Sequence, residues 1–162
     1  QSAADAAKQA ADAAKQVIDR GVWKISTDGG TNDSYRKMFA AVPNKHNGIT
    51  LCTGSLGAAR ENSMTDMAAK LAKRSYFAHL RQIGFVGEKD FFECGHQTAE
   101  GSLDMYGIVK ALVDNGFDGY VRPDHGRNIW GEDGKPGYGL FDRALGATYL
   151  TGLFEAVERS RK

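Results

Sequence analysis

From Gly48 onward the chain alternates two hydrophobic periods, and that alternation is what most limits its fold. Gly48-Ile49-Thr50-Leu51-Cys52 is a short apolar run of β-favouring character. Met64, Met67, Ala68 and Leu71 then recur at the spacing of one helix face. The pattern repeats, with Ser75 to Arg81 as a strand in which Tyr76 and Phe77 supply β propensity. Met105, Ile108, Val109 and Leu112 follow on one face of a helix. It repeats again with Tyr120-Val121 and a last helix from about Phe141, expected to bury Leu145, Tyr149, Leu153 and Ala156. Ahead of these units, Val22 to Ser26 is a further candidate strand. A helix with Tyr35, Met38, Phe39 and Val42 on its apolar face comes next, with N-caps available in Thr31, Asn32 and Asp33. Strand–helix units in series predict an α/β fold built on parallel strands. The stretch from Gln82 to Ser102 reads as one long loop, and loops of that length in a compact domain are usually functional.

Parallel α/β folds build their sites where strands end, at the carboxyl edge of the sheet. Cys52, His79 and Asp124 each fall at such an end. Thiolate, imidazole and carboxylate together suit a first-row divalent metal. Each taken singly has a plainer role: Cys52 as a small core residue, His79 as a hydrogen-bonded histidine near the core, Asp124 as a cap. Their matching positions in consecutive units favour a shared site. In the stretch GYVRPDHGR, residues 119–127, the β-favouring Tyr120 and Val121 lead straight into Asp124, His125 and Gly126. There Asp124 can hold a cation while His125 moves a proton; the alternative is that His125 is an exposed loop residue.

The amino-terminal residues carry a different signal. The heptad AADAAKQ at 3–9 recurs letter for letter at 10–16. Alanine is the best helix former, so residues 1–21 are expected to be an Ala-rich helical segment stopped by Gly21, with the strand–helix units in residues 22–162. A net charge of +1 offers no basic field for nucleic acid and no polybasic face for a membrane. No apolar run approaches the ~20 residues of a membrane-spanning helix, and no secretory leader is visible. Two cysteines, Cys52 and Cys94, make no disulfide framework. That points to the reducing cytoplasm and leaves Cys52 available as a thiolate.

Several motifs, in order, resemble the mannonate dehydratase family. They are Thr50-Leu51-Cys52-Thr53-Gly54-Ser55-Leu56-Gly57, Phe77-Ala78-His79-Leu80-Arg81 and Gly101-Ser102-Leu103-Asp104-Met105-Tyr106. Arg122-Pro123-Asp124-His125-Gly126-Arg127 and Pro136-Gly137-Tyr138-Gly139 complete the set, and the similarity spans about residues 25 to 158. The resemblance implies a TIM barrel related in layout to xylose isomerase, this chain being the C-terminal part of the (β/α)8 barrel. It implies a hydro-lyase of hexuronate catabolism that converts D-mannonate to 2-keto-3-deoxy-D-gluconate with Mn²⁺ or Fe²⁺. By the same resemblance, Cys52, His79 and Asp124 would be metal ligands. His125 and Tyr138 would be the acid/base pair that takes the C2 proton and helps the C3 hydroxyl leave, in either assignment. His96, Arg81, Arg122 and Arg127 would be substrate contacts.

The chain departs from the family in length. A (β/α)8 barrel takes about 250 residues, and this sequence supplies roughly its last three strand–helix units. The family's remaining metal ligand, a histidine in an earlier His-Pro-Asp segment, has no counterpart, and His46 does not match it. A three-stranded piece leaves open sheet edges. The expected partners, beside the sugar-acid substrate, are therefore the missing N-terminal part of the barrel or further copies in a homo-oligomer. Two other readings stand: a non-catalytic or assembly module derived from that barrel, and a sugar isomerase or epimerase.

Overall fold

The structure, a computed structural model, describes residues 31–87 and 90–161. The Ala-rich segment at 1–21 and the candidate strand at Val22 to Ser26 lie outside the described residues. Helix α1 (Asn32–Ala41) opens at Thr31, whose hydroxyl accepts a hydrogen bond from Ser34 N at 3.3 Å. Its Tyr35 and Phe39 pack on the core as the spacing predicts, yet no residue of α1 is fully buried. Strand β1 (Ile49–Cys52) runs directly into the short helix α2 (Thr53–Gly57), followed by α3 (Met64–Leu71) and β2 (Ser75–His79). Strands β3 (Ile83–Phe85) and β4 (Phe91–Glu93), helix α4 (Met105–Asp114), β5 (Tyr120–Arg122) and α5 (Leu140–Arg159) complete the described elements.

Strands β1, β2 and β5 form a three-stranded parallel sheet in that order. Leu51 lies opposite Ala78 and Ala78 opposite Val121; in the same way Cys52 pairs with His79 and His79 with Arg122. Side chains alternate between faces along a strand. Leu51, Ala78 and Val121 therefore share one face, while Cys52, His79 and Arg122 share the other with Thr50, Phe77 and Tyr120. The first face packs against α3 and α4. Leu51, Ala78 and Leu80 are fully buried there with Met67, Met105, Ile108 and Leu112. Both helices bury the stripes their spacing predicts. The second face is open among the described residues, and Tyr120 on it is 83% exposed.

Two expectations change. The stretch from Gln82 to Ser102 is not a loop throughout, because β3 and β4 form an antiparallel hairpin with Ile83 opposite Glu93 and Phe85 opposite Phe91. Buried Gln82 closes its base. Its Nε2 donates to Leu103 O at 2.8 Å, and its Oε1 accepts from Ile83 N and Leu103 N. In α5 the buried line is Asp142, Gly146, Leu150 and Val157. Tyr149 and Leu153 are half-buried, while Leu145 and Ala156 are exposed. Two anchors set that rotation: Asp142 is bonded to Arg127, and Gly146 seats the His96 ring where a Cβ would overlap it. A polar and a small anchor are invisible to a count of apolar spacing. No helix among the described residues is long and apolar enough to cross a membrane.

Candidate metal centre

The carboxyl ends of β1 and β2 are in register, so Cys52 and His79 emerge side by side on the open face. β5 ends at Arg122, opposite His79, and the chain passes through Pro123 to Asp124. Asp124 has φ 68°, a left-handed conformation that costs a non-glycine residue roughly 1 kcal/mol. That turn brings its carboxylate into the sheet end, where the residue is only 7% exposed. Cys52 Sγ lies 3.8 Å from Asp124 Oδ2, and His79 Nδ1 lies 3.3 Å from Asp124 Oδ1. One ligand atom from each of the three residues lies within 4.8 Å of the others.

Neighbouring residues lock these ends together. Buried Thr53 places its hydroxyl 3.1 Å from His79 O and 2.7 Å from Arg81 O, tying the start of α2 to the end of β2. Gly54 clears the path of Arg81, since a Cβ there would meet the guanidinium carbon at 2.8 Å. Arg122 Nη2 donates to Asp124 Oδ1 at 2.7 Å, and Arg81 Nε lies 3.8 Å from Asp124 Oδ2. Burial pushes the His79 imidazole below its ordinary pKa; Asp124 opposes this, and Arg122, Arg81 and His125 add to it. The shift favours the neutral ring, the form that ligates a metal. Soft thiol, imidazole and buried carboxylate fit a divalent transition metal. Arg81 Nε is buried without a hydrogen-bond partner and so offers a donor to an acceptor, not to a cation.

His125 stands beside this cluster. Its Nε2 lies 3.9 Å from Asp124 Oδ2, and its ring stacks on Tyr138 with centroids 6.3 Å apart. Two backbone bonds bring Tyr138 there: Gly126 N donates to Gly137 O at 3.1 Å, and Gly139 N donates to Gly126 O at 2.9 Å. On its other side, His125 Nδ1 bonds the Glu93 carboxylate, which also accepts from Arg81 Nη1 at 2.9 Å. Glu93 was not among the expected residues. It sits on the hairpin that reads as loop in the sequence, and nothing in the run Phe91-Phe92-Glu93-Cys94 marks it.

His96 and Arg127 belong to a separate network. His96 is 2% exposed, with Nε2 at 2.8 Å from Pro123 O, the carbonyl just ahead of Asp124. Arg127 donates to Asp142 through its backbone N at 2.8 Å, Nε at 2.9 Å and Nη2 at 3.1 Å. Burial alone would raise the Asp142 carboxyl, but these bonds outweigh it and hold the group below its ordinary range. Burial pushes the Cys94 thiol up, so it stays protonated apart from the ligand cluster.

Ligand atoms gathered at the carboxyl edge of a parallel sheet, beside a stacked histidine and tyrosine, define an α/β protein with a candidate metal site of the enzyme type. The family model described as D-mannonate dehydratase (UxuA) matches residues 18–162, and the chain belongs to that family. The chain is 57% identical over 125 residues to the mannonate dehydratase of Lactococcus lactis subsp. cremoris, covering 75% of this chain and 35% of that relative. It is 50% identical over 132 residues to the mannonate dehydratase of Thermotoga petrophila, covering 80% of this chain and 37% of the relative. The crystal structure of mannonate dehydratase from Streptococcus suis serotype 2 matches with a TM-score of 0.74 at 42% identity, over 80% of this chain and 38% of that one. The chain therefore spans a little over a third of the length of the relatives it matches.

Proposed function

We propose that the chain forms the C-terminal part of a metal-dependent hydro-lyase that converts D-mannonate to 2-keto-3-deoxy-D-gluconate. Its strand–helix units are taken as the last of a (β/α)8 barrel, with the open sheet face turned to the barrel interior. The remaining strands come from the rest of the barrel or from another copy of the chain. The observation that carries this reading is the meeting of Cys52, His79 and Asp124 at three adjacent parallel strand ends, beside the His125–Tyr138 stack.

Cys52, His79 and Asp124 would hold Mn²⁺ or Fe²⁺. When bound, the ion supplies Lewis-acid polarisation of the substrate's carboxylate and adjacent hydroxyl. Arg81 and Arg122 add the positive charge that orients a sugar acid. One member of the His125–Tyr138 pair takes the C2 proton. The electron pair left at C2 forms the C2=C3 double bond as the C3 hydroxyl departs, and the other member protonates that hydroxyl to release water. The resulting enol tautomerises to the 2-keto product. His96 and Arg127 support the turn at 123–127 through Pro123 O and Asp142. A thiolate ligand is best kept in a reducing compartment, which supports the cytoplasm as the location.

Titrating the chain with Mn²⁺ tests this. Stoichiometric binding is expected, with loss in Cys52→Ser and in Asp124→Asn. A well-folded sample that binds no Mn²⁺ and turns over no mannonate when supplied with the rest of the barrel overturns it. The open face around Tyr120 favours one second reading, a non-catalytic assembly module, which would associate with a partner yet bind no metal.

A further inference from the structure

Glu93 is the polar residue most closely tied to the acid/base pair, and no motif in the sequence marks it. The hairpin register delivers it, with Glu93 opposite fully buried Ile83 at the base of β3. Its side chain is 29% exposed, that of His125 34% and that of Arg81 only 11%, so the three meet in a partly buried place. Charge-assisted hydrogen bonds are stronger in such places.

A neutral imidazole carries one proton, on one nitrogen, and the other nitrogen accepts. At Nδ1 of His125 two neighbours ask for opposite states. The Glu93 carboxylate accepts only, while Arg81 Nη1, 2.7 Å from Nδ1 and 3.4 Å from Nε2, donates only. With the proton on Nε2, Arg81 would satisfy Nδ1, but the Glu93 oxygen would then face a nitrogen lone pair at bonding distance. With the proton on Nδ1, Glu93 accepts from His125 and from Arg81 Nη1 together. Arg81 Nη1 then meets an N–H at 2.7 Å and Nε2 meets the Asp124 carboxylate at 3.9 Å, but the acceptor–acceptor contact at Nδ1, the closest of the three, is removed. The second arrangement also leaves Nε2 unprotonated on the side of Asp124.

We propose that Glu93 is the positioning residue of His125. It holds the ring as the Nδ1–H tautomer, so that Nε2 is the nitrogen that exchanges a proton with the substrate, and Arg81 holds Glu93 in place. This rests on the acid/base role given to His125 above and deepens it.

Long-range proton–nitrogen correlation NMR on the metal-free chain, uniformly labelled with nitrogen-15, reads the tautomer directly. Spectra are taken at about pH 8, above the ordinary histidine range. His96 is the internal reference, because Pro123 O can only accept from its Nε2–H. His125 is expected as Nδ1–H. Glu93→Ala is expected to shift its tautomer ratio toward Nε2–H by about tenfold or more, the loss of a hydrogen bond to a charged group, and Glu93→Gln by less. An Nε2–H tautomer in the unmodified chain, or a ratio that does not move in Glu93→Ala, overturns the proposal. If Glu93→Ala disturbs the hairpin, seen in the amide resonances of Gly84 and Phe92, the unmodified chain and Glu93→Gln decide. No metal is present, so failure here leaves the Mn²⁺ result standing, and failure of the Mn²⁺ titration leaves the tautomer result standing.

Discussion

The two faces of the β1–β2–β5 sheet differ by one residue in register and by almost everything in chemistry. On the face against α3 and α4, Leu51 and Ala78 are fully buried in a continuous apolar core. One position along, Cys52 and His79 pair on the other face with Arg122, and the open end of the strand gathers side chains that could hold a metal ion instead of packing. Period-two alternation thus lets a short strand carry stability on one side and reactivity on the other. Substitutions on the first face should change how well the chain folds. Substitutions on the second should change what it binds.

The largest effect is expected in the covered layer. Leu112 is fully buried in α4, so Leu112→Ala should cost about 3 kcal/mol, read as a lower urea midpoint with an unchanged slope. Next is the polar anchor of α5. Asp142→Asn removes the charged acceptor of three Arg127 bonds and should cost about 2 kcal/mol at neutral pH; Arg127 is part-exposed, so this lies below the range for a fully buried pair. The Asp142 carboxyl titrates below its ordinary value in the folded chain. Its contribution is therefore complete above about pH 4, the unfolded value, and is lost as pH falls through the folded one. Unfolding curves for Asp142→Asn and the unmodified chain should converge in acid, and a gap that stays constant would show that the ion pair is not its source.

These two residues also mark what was legible before the structure. Leu112 belongs to a stripe that helical spacing alone finds, as do Met64, Met67 and Leu71, because apolar periodicity reports directly on a helix packed against a sheet. In α5 the same count selected Leu145 and Ala156, because Asp142 and Gly146 earn their burial from Arg127 and His96, partners distant in sequence. The nearness of Cys52, His79 and Asp124 was legible as positions, since strand ends in consecutive units imply a common edge. The left-handed turn at Asp124 that closes the group was not, because aspartate, though it enters that conformation more readily than most residues, is far more often found outside it. Glu93 was hidden for a third reason. Its strand is three residues long and, among the described residues, pairs only with another of the same length, too short for alternation to register.

On the open face, Cys52→Ser should leave stability within about 0.5 kcal/mol while lowering metal affinity at least about 100-fold. Cys52 is also the N-cap of α2, its Sγ accepting from Ser55 N at 3.4 Å, and a serine hydroxyl caps at least as well. Stability and binding should therefore separate in a single variant. A Cys52→Ser chain that unfolds appreciably more easily would mean that the thiol is part of the packing and not of a ligand set.

The smallest effect makes the sharpest use of the register. Tyr120 and Val121 are adjacent in β5 but point to opposite faces; Tyr120 is 83% exposed, and Val121 packs on the core. Val121→Ser should cost about 1 kcal/mol and Tyr120→Ser within about 0.5 kcal/mol, since an exposed ring gives up little on removal. Both sit on one strand, at the sheet edge among the described residues, so changes in backbone and β propensity affect them alike, and their difference isolates the face. Equal costs in the chain alone would break the assignment of an open face. A Tyr120→Ser cost that appears only when the rest of the proposed barrel is supplied would place a further layer against Tyr120, because only then does the ring have apolar surface to lose.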